Sequence, residues 1–238
     1  MKNLLVIGSI LLSSQVMAQA PSVVDAPLDH LFVPDGFDNN DNVEVVVTGK
    51  FPNPCYTRND VKVDVKGDLI KIDMTALNTE SSDRALCENL KVPFSETIRI
   101  GSLQAGDYRI VVNEGSQYEL KGAVDVAVSS SSSVDDHLYA QVDYIELGFT
   151  GGLSGDAILV GKSLSPCLAF DKVEYKSNGK DTYSILPIMK KISNNCPEQR
   201  KRLQIPVKFD PRALKSSRLL LFVRSVDGKS VHTFVDKE

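Results

Sequence analysis

The sequence predicts an all-β protein of two tandem β-sandwich domains, each closed by one disulfide. Three observations predict this. Short apolar segments alternate with a period of two and are separated by Gly, Asp and Asn. A set of residues in the first half recurs in the second, at offsets that run from 107 to 113. Four cysteines fall two to each half.

The first 20 residues come first. Lys2 gives a positive start, Leu4 to Leu12 is an apolar stretch too short to span a bilayer, and Ala18-Gln19-Ala20 offers the small residues of a cleavage site. Residues 1–20 therefore read as a signal peptide. With no cysteine after the apolar stretch and no other long apolar run, the mature chain is expected to be secreted or periplasmic, without an integral membrane segment.

Next comes the repeat. Asp29-His30-Leu31-Phe32 is echoed by Asp136-His137-Leu138-Tyr139, and Pro54-Cys55 by Pro166-Cys167. Val92-Pro93-Phe94 is matched to Ile205-Pro206-Val207, Leu103 to Leu214, and Gly49 to Gly161. Matches in one order point to tandem duplication. The five serines from Ser129 to Ser133 cannot bury themselves, so they read as a flexible tether. The expected domains are residues 21–128 and 136–238, with a linker over 129–135. Loosely joined domains of this kind would engage a partner bivalently.

Strands follow from the alternation. In the first half they are expected at Val43–Val47, Val61–Val65, Leu69–Met74, Thr97–Ile100 and Tyr108–Val112. The second half offers Ala157–Val160, Lys172–Tyr175, Tyr183–Leu186, Leu203–Val207 and Leu219–Val223. Val226-Asp227-Gly228-Lys229 is a type I′ hairpin signal, and Asn113-Glu114-Gly115-Ser116 plays the same part earlier. Weak helical period shows only at Ser82–Leu90 and Ile188–Ser193.

Leu103-Gln104-Ala105-Gly106-Asp107-Tyr108, followed by Arg109-Ile110-Val111-Val112, resembles the corner before the sixth strand of immunoglobulin-like and fibronectin-type domains. In those domains the tyrosine hydroxyl bonds to the backbone upstream. The second half has Leu219 at that place, and the chain has no tryptophan. The resemblance implies a Greek-key, Ig-like two-sheet architecture and carries no function with it.

The cysteines belong to an exported chain and number four, which invites pairing. The repeat selects Cys55 with Cys87 and Cys167 with Cys196. Closing a loop of about 30 residues stabilises a fold by roughly 3–4 kcal/mol in the chain-entropy model. A zinc site would need ligand pairs two to four residues apart, and no pair has that spacing.

Chemistry is sparse. Net charge is −4, so no basic field is present to hold nucleic acid. The chain has 3 His, no serine elbow and no phosphate-cradling glycine loop. His30 and His137 read as one packing position used twice, and His232 as a half-exposed strand residue. Asp38, Asn40, Asn42 and Glu44 place oxygens at alternate positions, as calcium loops do at their start. They lack the later glycine and acid of that pattern, so a solvated turn is the plainer expectation. Phe149 and Leu153, framed by glycines, form a possible partner-contact loop.

These residues predict no cofactor and a non-catalytic protein that binds a protein or a cell-surface component. Recognition would fall to loops at the sandwich ends or to an exposed edge strand. A periplasmic pilus-type chaperone and a small exported hydrolase are the alternatives. The bridges give the first test. Non-reducing peptide mapping of the mature protein should yield the Cys55–Cys87 and Cys167–Cys196 pairs, and a cross-half pair would contradict the repeat.

Overall fold

The computed structural model describes residues 20–80, 87–133, 135–148, 153–163, 165–197 and 199–237. The proposed signal peptide therefore lies outside the described residues, apart from Ala20. The first half contains β1 (Ser22–Asp25), β2 (Leu28–Phe32), β3 (Phe37–Asp38), β4 (Val43–Phe51), β5 (Tyr56–Lys66), β6 (Leu69–Asn78), β7 (Val92–Gly101), β8 (Gly106–Val112) and β9 (Leu120–Ala127). The second contains β10 (Gln141–Leu147), β11 (Asp156–Ser163), β12 (Leu168–Ser177), β13 (Thr182–Lys191), β14 (Lys201–Lys208), β15 (Arg218–Ser225) and β16 (Lys229–Asp236). Every strand expected from alternation falls inside one of these.

Both halves pair their strands in one order. The first has a three-stranded sheet β2-β4-β7 and a larger sheet in which β5, β6, β8 and β9 are successive neighbours. The second has β10-β11-β14 and β12-β13-β15-β16. Each larger sheet contains an equivalent parallel pair, β6 with β8 and β13 with β15, and in the first half β3 also lies parallel to β9. The intervening strand crosses to the other sheet, as a parallel pair requires. An immunoglobulin-type sandwich has two antiparallel sheets, so these parallel pairs depart from that pattern. The corner hydrogen bond is nevertheless present: the Tyr108 hydroxyl donates to the Gln104 carbonyl at 3.0 Å.

Register aligns the halves more finely than letters do. The ladder β2–β4 shifts between Leu28 and His30, and β10–β11 shifts between Val142 and Tyr144. Leu28 sits opposite Gly49, and Val142 opposite Gly161. A side chain on either glycine would collide with backbone of the first strand, at Pro27 or at Gln141. Asp29 pairs with Lys50 at 3.8 Å, and Asp143 with Lys162 at 3.9 Å. His30 therefore corresponds to Tyr144, not to His137, which is exposed in the segment before β10. The Asp-His-Leu match was a coincidence of letters seven residues out of register. The same ladders place Thr97 opposite Val46 and Pro206 opposite Ile158. Thr97, not Pro93, is then the counterpart of Pro206.

The four sheets stack. One core lies between the two sheets of the first half, and it also contains Leu220 and Phe222 of β15, with Phe234 of β16 packed against it. A second core lies between the sheets of the second half, and β15 supplies Leu219, Leu221 and Val223 to it. Strand β15 thus faces one core with its odd-numbered residues and the seam with its even-numbered ones. Strand β4 is in the same position, since Val43, Val45, Val46 and Val47 are all fully buried. Strands buried on both faces lose the polar alternation and read as apolar runs.

The serine run is correspondingly not a loose tether. Ser129 N donates to Asn39 Oδ1 at 2.8 Å, Ser131 N donates to Asp136 Oδ1 at 3.0 Å, and Asn40 Nδ2 donates to Asp136 Oδ1 at 2.9 Å. The halves share apolar contact and the connection is hydrogen-bonded to both. The weak helical signal at Ile188 also fails, because Ile188–Lys191 closes β13, in which Ile188 and Met189 are buried and Lys190 and Lys191 exposed. Most of the Ser82–Leu90 segment lies outside the described residues.

Truncating Phe222 should test the stack. Phe222→Ala removes a buried ring from the seam and should cost about 3–5 kcal/mol. Calorimetry should show one cooperative transition before and after. Two separate transitions in the parent protein would mean that the halves unfold independently.

Candidate functional site

The acidic and amide residues of the Asp38–Glu44 segment gather with Arg224 at one end of the seam. Arg224, at the end of β15, has a side chain only 10% exposed. It grips Asp41 through both terminal nitrogens and donates to the Gly36 carbonyl at 3.2 Å. Asp135 completes its ring of acceptors at 3.4 Å, and its guanidinium lies 4.9 Å above the Tyr139 ring. Burial opposes the charge on Arg224, yet hydrogen bonding to Asp41 and the surrounding negative charge hold its pKa above the ordinary value. A planar guanidinium suits this role because it serves two carboxylate oxygens at once.

The proposed calcium loop runs directly past this arginine. Asp38 Oδ1 accepts from Asn40 N at 3.3 Å, and Asn40 Nδ2 is committed to Asp136. Glu44 is only 2% exposed, accepts from Arg99 Nε at 2.9 Å and takes a second hydrogen bond from Ser230. Asn42 lines the same cleft. Asp38, Asn40 and Glu44 thus reach different protein partners and do not converge on one point. Among the described residues no three His, Cys, Asp or Glu side chains stand close enough to hold a metal ion.

Asp38 carries the largest upward shift among the acids. Burial, and then the neighbouring Asp41 charge, raise its pKa to about 6. Burial also raises Asp135, whereas hydrogen bonds from Ser130, Asn40 and Ser131 hold Asp136 well below the carboxylate range.

The opposite end of the seam uses a second set. His30 Nε2 donates to Asp181 Oδ2 at 2.8 Å. Asp181 is 1% exposed and also accepts from Asn178 Nδ2 at 2.8 Å and from Thr182 Oγ1 at 3.0 Å. Burial pushes the Asp181 carboxyl up, but these hydrogen bonds hold it below its ordinary value. Asn178 Nδ2 also donates to the Val33 carbonyl at 3.1 Å, and Ser184 Oγ accepts from Asp35 N at the same distance. His232 faces Thr97 at 3.3 Å, and burial lowers its pKa. His30 and His137 therefore do different things: one crosses the seam and the other is exposed.

The disulfides join Cys55 to Cys87 and Cys167 to Cys196, with Cα–Cα separations of 5.5 and 5.6 Å. Each ties the start of the edge strand β5 or β12 to the segment five residues ahead of β7 or β14. Phe149 lies outside the described residues, and Leu153 is 42% exposed beside the start of β11. Sequence reasoning missed Arg224, Asp41 and Asp181. Their signal was a charged residue ending or preceding an apolar strand, which by itself marks any strand end.

Residues 45–122 match the model of the ORF11 β-sandwich domain. That stretch runs from within β4 into β9. The chain is 33% identical over 73 residues to an "uncharacterized 10.2 kDa protein in HgiCIIM 5′ region" of Herpetosiphon aurantiacus, covering 30% of this chain and 74% of that protein. It is 34% identical over 73 residues to the "uncharacterized 10.2 kDa protein in HgiBIM 5′ region" of the same organism, covering 85% of that protein. The chain belongs to the family of these small proteins. The ORF11 β-sandwich match over residues 45–122 agrees with the sheets described above. No solved structure matches the chain.

Asp38 supplies a pH test. A carboxyl whose folded pKa lies above its unfolded value is more protonated in the native state, so its contribution to stability falls as pH rises through the interval. For Asp38 that interval runs from its ordinary value of 3.8 to about 6. Asp38→Asn should remove the decline and gain on the order of 1 kcal/mol at pH 7 once solvent screening is allowed for. Denaturant melts of both proteins at pH 4 and pH 7 measure it. An equal difference at the two pH values would contradict the assignment.

Proposed function

We propose that the protein is an exported, non-catalytic recognition protein whose body is a duplicated β-sandwich unit. The observation that carries this reading is the use made of the buried polar groups. Arg224 with Asp41, Glu44 with Arg99 and Ser230, and Asp181 with His30 and Asn178 are spent on joining the two halves. What faces outward is strand edge and sheet face, the surfaces through which β-proteins recognise others.

The duplication rests on equivalent strand order, equivalent ladder shifts beside Gly49 and Gly161, and bridges at corresponding places. A family member of 10.2 kDa, against 26.1 kDa here, supports a unit of about one half as the ancestral module. Export rests on the pattern of residues 1–20 together with the two disulfides, which suit an oxidising compartment. The pairing order differs from that of immunoglobulin domains at the parallel strands, so the kinship proposed is with Greek-key sandwiches in general. Recognition by a rigid stack replaces the bivalent mode, because the halves are fixed together.

Two measurements test the reading. Expressed in a bacterium with its own N-terminus, the protein should be recovered outside the cytosol beginning at Gln19 or Pro21. Envelope fractions of the producing cell should then retain the mature protein saturably, and His137→Ala and His232→Ala should leave that retention unchanged. Recovery in the cytosol with residues 1–20 intact would overturn export. Turnover of an ester, peptide or glycoside that either substitution abolishes would overturn the non-catalytic assignment.

A further inference from the structure

Asn178 is followed by Gly179, and no other asparagine of the chain precedes a glycine. In this dipeptide an asparagine side chain is most open to attack by its own backbone. Glycine puts no side chain beside the attacking nitrogen and lets it take conformations that other residues avoid. The pair lies in the short turn between β12 and β13, at the His30 end of the seam. Gly179 is exposed, has φ +68° and has open space where a side chain would stand.

The carboxamide of Asn178 is fully committed. Its Oδ1 accepts from the backbone N–H groups of Lys180, Asp181 and Thr182, each at 3.0 Å. Its Nδ2 donates to Asp181 Oδ1 at 2.8 Å and, across the seam, to the Val33 carbonyl at 3.1 Å. An amide nitrogen has two hydrogens to give, and both are used. Gly179 N in turn donates to Ser177 Oγ at 3.1 Å. Ring closure would draw Cγ out of this network toward Gly179 N and expel Nδ2. That leaves the buried Val33 carbonyl and the Asp181 carboxylate short of a donor, which is costly. The closed seam therefore holds the reaction off. The neighbouring crossings are Asp35 N to Ser184 Oγ and His30 to Asp181, so opening this end releases Asn178 and Asp181 together.

We infer that Asn178–Gly179 is a self-modification site gated by the seam: when this end of the stack opens, Asn178 deamidates, and the product weakens reclosure. Gly179 N loses its proton to solvent and attacks Asn178 Cγ. The Cγ–Nδ2 bond breaks, and the nitrogen takes a proton from solvent and leaves as ammonia. Water then opens the cyclic imide at either carbonyl, leaving aspartate or isoaspartate at position 178. One water is consumed and one ammonia released, with no oxidant or cofactor. A carboxylate at this place cannot donate to Val33 or to Asp181. It also sets a second negative charge where Nδ2 stood, 2.8 Å from Asp181 Oδ1, on a residue only 1% exposed. Like charges that close disfavour each other, and the nearby cations, His30 and Lys180 at 3.6 Å, already serve Asp181. The change runs one way, so each opening of the seam at this end risks a permanent loosening.

Peptide mapping by mass spectrometry, with aspartate and isoaspartate resolved, follows Asn178 in the purified mature protein held at mildly alkaline pH. The folded parent is expected to convert roughly tenfold or more slowly than the same chain unfolded in denaturant, since only the opened fraction reacts. His30→Ala and, separately, Ser184→Ala should speed conversion of the folded protein and leave the unfolded rate unchanged. Ser184→Ala removes only one crossing hydrogen bond, so it keeps the comparison if His30→Ala does not fold. Asn178→Asp, which carries the product's charge, should melt below the parent. It should also exchange the Leu220 amide hydrogen faster, because that amide donates to the Asp181 carbonyl at 2.8 Å. An unfolded chain that leaves Asn178 intact overturns the site. Conversion of the folded parent at the unfolded rate overturns the gating, as does failure of both seam variants to accelerate it. An Asn178→Asp protein that melts and exchanges like the parent overturns the effect on the seam.

Discussion

Strand β4 has no solvent side. Val43, Val45 and Val47 point into the core of the first half, while Val46 points at Leu220 and Phe222 of the second, and all four valines are fully buried. A three-stranded sheet with two apolar faces must be covered twice, because exposing the second face would leave a contiguous apolar surface in water. The second half supplies that cover through β15, which is itself apolar on both sides. From this one contact follow the stack of four sheets, the fixed angle between the halves and the hydrogen bonding of the serine connection.

Apolar contact alone slides easily, and the seam's polar pairs remove that freedom. Arg224 with Asp41 lies at one end, His30 with Asp181 at the other, and Glu44 with Arg99 and Ser230 between them and the open cleft. A buried charge pair contributes little net stability, since desolvation offsets its attraction, but an unpaired member is strongly penalised. These pairs therefore act mainly on register. A displaced stack would leave Arg224, Asp41, Asp181 or Glu44 buried without a partner. This role explains why acids that look like the beginning of a calcium loop are turned toward protein donors instead.

Much of the fold was legible and its limits are physical. Alternation located the strands because a half-buried strand must alternate. The repeated cysteines gave both bridges, and the glycine-led tyrosine of the corner gave a hydrogen bond that the structure contains. Pairing order was not legible, because a period of two says that a strand has two faces and not which strand lies beside it. Hence the parallel β6–β8 and β13–β15 pairs had no local signature. The seam did have one. Tyr183–Met189 and Leu219–Val223 are nearly unbroken apolar runs, and such runs mark strands covered on both sides. The serine run drew attention away from them, since composition predicts how a free segment behaves and not what its neighbours offer it. The Asp-His-Leu echo misled for a related reason. Identical letters need not occupy equivalent ladder positions, and a one-residue change of register turns every side chain to the other face.

The two halves pair their strands in the same order but present different outer faces. A heterologous face-to-face contact can continue indefinitely if both free faces remain complementary. Here the two outer faces differ in character. Where the second half places Leu220 and His232 toward the seam, the first half places Arg109 and Lys121 toward solvent, paired with Asp68 at 3.2 Å and Glu119 at 2.6 Å, and burying those charged pairs would carry a desolvation cost. The three-stranded face of the second half exposes Tyr144 and Ile158 beside the Asp156–Lys208 ion pair. One outer face is therefore charged, and the other mixes Tyr144 and Ile158 with charged residues. The equivalence of their strands does not extend to their outer side chains.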